Sequence, residues 1–312
     1  MSTRPDILTD SEGNSFRLER ITCPICGPTA EKVLGVRGGA FHRYGLGVAT
    51  SIVQCTVCSL MYPNPFAFPL EPQRLYGNPG KYFSTHNSQA KVIAGRALIR
   101  EACRRMEGRL ESLLDVGSGR GELLHAARLE QVARIVGLDF AESMVEDAAR
   151  NYGARVELES IEQFEAKSPE PFDVVFLNAV LEHVYDPDSM IAAAQQLTRP
   201  GGVLYIDTPN EPSLLTRLFN SVSAFRGSPA VLNLSPTFSP FHVFGFNPRS
   251  LTHLLGKYGF VVESVSIAGA AHIPSSGGLG DRLKSLIGTG VNHVANWTGS
   301  AANMCVWARR HH

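Results

Sequence analysis

The sequence predicts an α/β fold in which a mostly parallel, Rossmann-like sheet of seven strands follows a small first domain. Three observations carry this reading. From Ser112 onward, short apolar strands alternate strictly with helix-patterned segments, the pattern of a parallel sheet covered on both faces. A strand running into Asp115 is followed by glycines at 117, 119 and 121, and then by the start of a helix. Ahead of these lie two CxxC pairs in a Gly- and Pro-rich stretch.

Each element follows in order. Residues 1–20 are polar without a clear period and read as a tail. Residues 21–72 form the small cysteine-bearing domain, with short β-prone pieces such as Val48 to Gln54. In its last stretch, Tyr62 to Pro69, prolines remove donors and restrict their neighbours, so it reads as the exit linker. Residues 73–110 are linker and helix, with helical spacing of apolar positions over 88–107. Residues 111–312 hold the α/β domain. Strands are expected at Ser112–Val116, Arg134–Leu138, Val156–Leu158, Asp173–Leu177 and Val203–Ile206, with Phe260–Ile267 and Met304–Ala308 completing the seven. Helices are expected at Gly121–Leu129, Ser143–Asn151 and Ser189–Leu197. A stretch at about 211–247 is too long for a minimal connection and reads as a lid or substrate segment. Asp281 to Trp297 reads as a surface helix, a dimer contact or a lid.

Composition narrows the function. The chain has 312 residues, 44% hydrophobic and 19% charged, which suits a packed core and excludes global disorder. Lys+Arg and Asp+Glu are both 29, so the net charge is zero, and residues 1–80 hold seven basic against six acidic residues. A surface that tracks phosphate backbones needs a clearer basic excess, so no nucleic-acid partner is expected. No run of about 18 apolar residues exists and residues 1–20 lack a signal-peptide core; a cytoplasmic location with no membrane partner is the expectation.

Four of six cysteines form the pairs Cys23/Cys26 and Cys55/Cys58, separated by 28 residues. Each tight turn can present two sulfurs to one tetrahedral ion, so a closed structural zinc site is expected. Redox or incidental pairs are the alternative. In the loop, glycines let the backbone turn sharply and let a ligand approach, while the helix N-terminus offers free N–H groups. Asp139 ends the second strand, 24 residues after Asp115. It could accept two ribose hydroxyls, or merely cap the helix starting near Ser143.

The DxGxGxG spacing of Asp115 to Gly121 differs from a GxGxxG dinucleotide fingerprint, because position 122 is Glu. It resembles motif I of the class I S-adenosylmethionine-dependent methyltransferases. Gly137-Leu138-Asp139-Phe140, Phe172 to Val184 and Arg199-Pro200-Gly201-Gly202 resemble that family's later motifs, in order, over about residues 80 to 310. The resemblance implies that Asp115, Gly117, Ser118, Gly119 and Gly121 hold the amino-acid end of the cofactor. It likewise implies that Asp139 and Phe140 meet the ribose, that Ser160 and Ile161 flank the adenine, and that Tyr82 and Asn178 add contacts, with His86 near the mouth.

A hydroxyl or acidic carbon acceptor also needs a general base. His183 is one candidate: Glu182-His183 resembles the Glu–His pair of ubiquinone-pathway-type O-methyltransferases. Where some of those carry a further ion-holding Glu, this chain has Ala179. His242, among Phe238, Phe241, Phe244 and Phe246, is the other, though such a histidine is often a packing group and such aromatics are often core. The N-terminal CPxC…CxxC module is similar to that of bacterial small-molecule and sugar modifiers. The expected function is methyl transfer to O, N or C of a small molecule in secondary-metabolite or sugar-related biosynthesis. Two rivals are an RNA methyltransferase docking through the zinc ribbon and a non-catalytic interaction protein with a degenerate cofactor fold.

Overall fold

The computed structural model describes residues 6–72, 75, 88–108, 110–167, 169–269, 290, 291 and 293–311. The chain divides into two compact units. The first comprises Met1–Leu70, Thr208–Leu251 and Val265–Cys305; the second comprises Glu71–Asp207, Thr252–Ser264 and Val306–His312. No described helix is long and apolar enough to cross a membrane.

In the first unit, β1 (Asp6–Thr9) and β2 (Ser15–Glu19) form an antiparallel hairpin. The Asp10 carboxylate accepts from the N–H groups of Glu12 and Asn14 and so builds the turn. The stretch expected as a tail is therefore ordered strand, and its Phe16 is fully buried. A second antiparallel sheet runs β3 (Glu31–Arg37), β4 (Thr50–Cys55), β5 (Met61–Pro63), while β6 (Phe66–Pro69) pairs with β2. Tyr62 to Pro69 is thus not a linker. Both β5 and β6 are edge strands, where a proline forfeits no ladder bond on its open side. Tyr62 is fully buried and donates to Glu31 at 2.7 Å, and Phe66 packs on Phe244.

The expected lid stretch carries α6 (Leu214–Phe225) and belongs to this unit. Its Val231 and Leu234 share a core with Ile52 and Met61. Its backbone joins β3 through Val36 N–H to Pro229 O and Val231 N–H to Val36 O.

The second unit begins with α1 (Ser88–Arg105) and is built on the β/α alternation. Its elements are β7 (Ser112–Val116), α2 (Glu122–Leu129), β8 (Arg134–Asp139), α3 (Glu142–Tyr152), β9 (Val156–Leu158), α4 (Ile161–Glu165), β10 (Phe172–Asn178), α5 (Pro187–Leu197) and β11 (Thr198–Pro209). After α7 (Pro248–Lys257) come β12 (Phe260–Ala268) and β13 (Asn303–Arg310). The sheet order is β12-β13-β11-β10-β7-β8-β9, with β11, β10, β7, β8 and β9 parallel. β7 is central and every one of its residues is buried. A two-sided apolar run is what such a position requires, and it puts the C-terminal ends of β7, β8 and β10 side by side.

At the opposite ends of these strands, Asp173 ties three of them together. One carboxylate oxygen accepts from the N–H groups of Glu111 and Ser112, both at 2.8 Å, and the other accepts from Arg199 Nε at 2.5 Å. Burial alone would raise this carboxyl's pKa, but Arg199 and the two N–H groups outweigh it and hold the group below the usual range. A carboxyl depressed by folding stabilises the protein above its unfolded pKa of about 3.9, and that contribution is lost as pH falls toward the folded value. Asp173→Ala should therefore lower the unfolding free energy by about 2–3 kcal/mol at neutral pH, with the deficit shrinking below about pH 4. Urea unfolding of both proteins at the two pH values checks this.

Candidate cofactor site and metal centre

The loop after β7 is a run of left-handed glycines, with φ of 67° at Gly117, 53° at Gly119 and 83° at Gly121. Side chains with a Cβ rarely adopt these values. At Gly117 a Cβ would also lie 2.6 Å from Val180 Cγ2, and at Gly121 it would press on Ala148 and Ala154. Gly121 is the N-cap of α2, so the loop delivers the chain directly into a helix start with its unpaired N–H groups.

Asp139, at the end of β8, braces this loop from the side. Its Oδ2 accepts from Gly119 N–H and its Oδ1 from Ala141 N–H, both at 2.9 Å. Ala141 is the N-cap of α3, so Asp139 supports that helix start and the glycine loop at once. Burial raises its pKa in spite of these donors. Behind it, Asp115 is buried and accepts from the Asn178 side chain. Burial first, then the charges of Asp139 and Glu122, push Asp115 up to about 8.

These elements enclose a cavity of about 440 Å³. Of the residues the sequence singles out, Gly117, Gly119, Asp139, Phe140, Ser160, Ile161 and His183 line it. Asp115, Ser118, Gly121 and Asn178 are not on its wall. Ser118 N–H instead bonds the Leu138 carbonyl and fixes the loop against β8. Tyr82 and His86 lie outside the described residues.

Sequence reasoning missed Leu138, Met144, Val180, Tyr185 and Met190, which give the cavity apolar walls, and it missed Glu159. Glu159 Oε2 pairs with Lys167 Nζ at 2.5 Å, while its Oε1 is buried with no hydrogen-bond partner among the described residues. A buried acceptor without a donor costs free energy until a ligand supplies one. Its only signal in the sequence is its place directly before Ser160, which opens α4 with a capping box to Gln163.

After β10 the chain turns sharply. Ala179 takes a left-handed φ of 51° and its N–H bonds the Asp207 carbonyl, a strain that places the next residues on the cavity. Glu182 is buried, and its Oε1 lies 3.8 Å from His183 Nε2. His242 belongs to the first unit, half-buried, with its backbone paired to Ser235. Phe238, Phe241, Phe244 and Phe246 around it are all buried and pack as core.

A family model described as a methyltransferase domain matches residues 86–265, more than half of the sequence. The chain belongs to the methyltransferase-domain family. It is similar to the ubiquinone biosynthesis O-methyltransferase of Xylella fastidiosa, 31% identical over 160 residues that cover 49% of this chain and 62% of that enzyme. The enzyme of the same name from Azoarcus sp. is 31% identical over 169 residues, 53% of this chain and 69% of the relative. The chain thus spans about three fifths of the Xylella enzyme's length. Among solved structures, the plantazolicin methyltransferase BamL, in complex with a triazolic desmethylPZN analogue and SAH, superposes with a TM-score of 0.51 at 14% identity. That match covers 77% of this chain and 94% of BamL, and shows that the methyltransferase fold is shared.

The first unit adds a four-cysteine cluster to the methyltransferase domain. The sulfurs of Cys23, Cys26, Cys55 and Cys58 all lie within 4.8 Å of one another, and Cys23 Sγ is 3.6 Å from Cys58 Sγ. Both knuckles close in the same way: Gly27 N–H bonds Cys23 O and Ser59 N–H bonds Cys55 O, with φ of 72° and 67°. Ser59 therefore adopts the conformation that glycine supplies in the first knuckle. Hydrogen bonding from Cys58 draws Cys23 down to about 5, whereas burial raises Cys26 to about 11, and the same bond to Cys23, helped by burial, pushes Cys58 far up. Four thiols this close do not all ionise without a cation among them. A tetrahedral ion with metal–sulfur bonds of about 2.3 Å needs sulfurs about 3.8 Å apart, and the Cys23–Cys58 separation of 3.6 Å is close to that value.

Proposed function

We propose that the chain transfers a methyl group from S-adenosylmethionine to an oxygen of a small-molecule acceptor. The observation that carries this reading is the cavity that gathers the glycine loop, Asp139, Glu159 and His183 on one surface. Its chemistry fits the cofactor. The left-handed loop and helix start suit a compact charged end, Asp139 suits a vicinal diol, and the orphaned Glu159 Oε1 suits an exocyclic amino group. Bound there, the cofactor supplies an electrophilic methyl on a sulfonium centre.

The chain's own part is to position and to handle one proton. Held reactants need little further catalysis for an in-line displacement. His183 takes the acceptor hydroxyl's proton onto its imidazole, and the buried Glu182 carboxylate on the Nε2 side steadies the resulting cation. Oxygen is favoured as acceptor by the relatives being O-methyltransferases and by this Glu–His pair. The near-neutral first 80 residues support a small molecule over RNA. We also propose that the four cysteines bind one structural zinc, leaving no open coordination position for chemistry.

Calorimetric titration with S-adenosylhomocysteine tests the cofactor. Wild type should bind, and Asp139→Asn should weaken binding at least tenfold. Because burial raises Asp139 above its ordinary pKa, wild-type affinity should fall as pH drops through that raised value, and the Asn variant should lack this dependence. Absence of binding to folded protein would sink the methyltransferase reading.

His183→Asn should reduce turnover of a hydroxylated acceptor by about 10²–10⁴-fold while leaving S-adenosylhomocysteine affinity within about twofold. An unchanged rate would remove His183 as the base.

Elemental analysis should find one zinc per chain, and Cys58→Ser should lose the metal and lower the melting temperature. A wild-type chain purified without metal and equally stable in chelator would refute the zinc site.

A further inference from the structure

Arg37, the last residue of β3, is half-buried and makes no salt bridge among the described residues. Its Nε donates to Leu234 O at 3.1 Å, and its guanidinium carbon lies 4.9 Å from the centroid of the Phe238 ring. These two contacts hold the group in place and use one of its N–H donors. Nη1 and Nη2 donate to nothing among the described residues. Residues 212–251, the stretch that supplies both contacts, contain no Asp or Glu. The carboxylate whose charge reaches Arg37 is Glu211, without a salt bridge between the two. Glu211 Oε2 already accepts from Asn233 Nδ2 at 2.9 Å, and burial pushes its carboxyl up to about 7, so near neutral pH it carries only part of a charge. A half-buried cation left in this condition is a receptor for an anion.

A second donor sits on the same ring. The loop between β3 and β4 runs back over Phe238, pinned by Thr237, whose hydroxyl accepts from Val48 N–H at 3.1 Å and donates to Val48 O at 3.0 Å. Gly47 permits this approach, since a Cβ there would lie 2.4 Å from Thr237 Oγ1. The loop lays His42 on Phe238 with ring centroids 4.5 Å apart. His42 Nδ1 accepts from the N–H groups of Tyr44 and Leu46, both at 3.3 Å, and burial together with the Arg37 charge holds its pKa below the usual value. The imidazole is therefore neutral with its proton on Nε2, and that N–H has no acceptor among the described residues. The backbone carries the same mark. Leu234, whose carbonyl positions Arg37, is held at a left-handed φ of 60°, a conformation that costs a bulky residue free energy and gathers at ligand sites.

Charge and shape select the ligand. With Nε occupied, the open edge of the guanidinium is its two coplanar Nη groups, which match the two oxygens of a carboxylate end-on. One guanidinium, a neutral imidazole and a partly ionised Glu211 suit a monoanion better than a phosphate dianion. Beside His42, Tyr44 is 69% exposed with its ring centroid 5.9 Å from the imidazole, and the exposed Arg43 stacks on it at 5.0 Å. That exposed ring gives a flat ligand a surface to lie on.

We propose that Arg37 and His42 form a binding site for a small aromatic carboxylate, with the carboxylate on the Arg37 Nη groups and a further hydrogen bond from His42 Nε2–H. The site lies wholly within the first unit and does not rest on the methyltransferase reading.

The probe is benzoate, titrated against the full-length chain by saturation-transfer NMR at constant ionic strength. Benzamide is the uncharged control and inorganic phosphate the competitor. Wild type should bind benzoate, with benzamide weaker by about tenfold or more, and phosphate should displace benzoate only at about tenfold higher concentration or above. Arg37→Gln should weaken benzoate binding by about tenfold or more, and His42→Phe, which keeps a stacked ring and removes the donor, by about threefold. Circular dichroism melts control for folding, and His42→Phe keeps the test decisive if Arg37→Gln misfolds. Absence of benzoate binding to wild type, or affinity unchanged in either folded variant, overturns the proposal. So does benzamide or phosphate matching benzoate, since the site would then recognise a bare ring or a phosphate.

Discussion

The cavity beside the glycine loop depends on one backbone constraint: three residues in five must turn left-handed between the end of β7 and the start of α2. Only glycine meets that requirement without strain, and the requirement fixes everything around it. Because the loop bends so tightly, Gly119 N–H points at Asp139 and Ser118 N–H at Leu138 O, so the loop is clamped to the neighbouring strand. Because Gly117 has no Cβ, Val180 can close against it and bring the post-β10 segment, with His183, onto the same cavity. The central sheet supplies the rigidity: β7 is buried on both faces and pinned at its other end by Asp173.

A second consequence is electrostatic. Packing the loop between parallel strands gathers Asp115, Glu122 and Asp139 in a poorly solvated region, with no ion pair to any of them among the described residues. Burial therefore raises Asp115 and Asp139, the opposite of what happens at Asp173, where Arg199 compensates. The same sheet thus carries one carboxylate that is satisfied and depressed and two that burial raises. Glu159 keeps one oxygen on Lys167 and has the other without a hydrogen-bond partner among the described residues.

In the first unit, polar satisfaction works beside an apolar core. Its knuckles are organised by N–H to carbonyl bonds within each Cys-containing turn, and its α6 is oriented by side-chain bonds to residues 228–233. The edge positions of β5 and β6 let a proline-rich stretch be strand, which local proline rules alone count against.

Most of the α/β alternation, the glycine loop, Asp139 and the cysteine pairs were legible in the sequence, because each rests on local chemistry: period, φ > 0, or two thiols on one turn. Residues 6–19 looked like a tail because a hairpin with one buried face declares itself only when β6 arrives to pair with it. Glu159 was invisible because an orphaned acceptor is a property of its surroundings. The aromatics near His242 could be assigned to core only once Phe244 was seen to pack on Tyr62 and Phe66, residues far away in the chain. α6 marks the boundary most clearly. Its sequence determined that Leu215, Leu218, Phe219, Val222 and Phe225 share one stripe, but the outward direction of that stripe was decided by tertiary structure. The small polar residues opposite found carbonyl and amide partners across the turn, and a helix can satisfy buried polar groups in only one rotation.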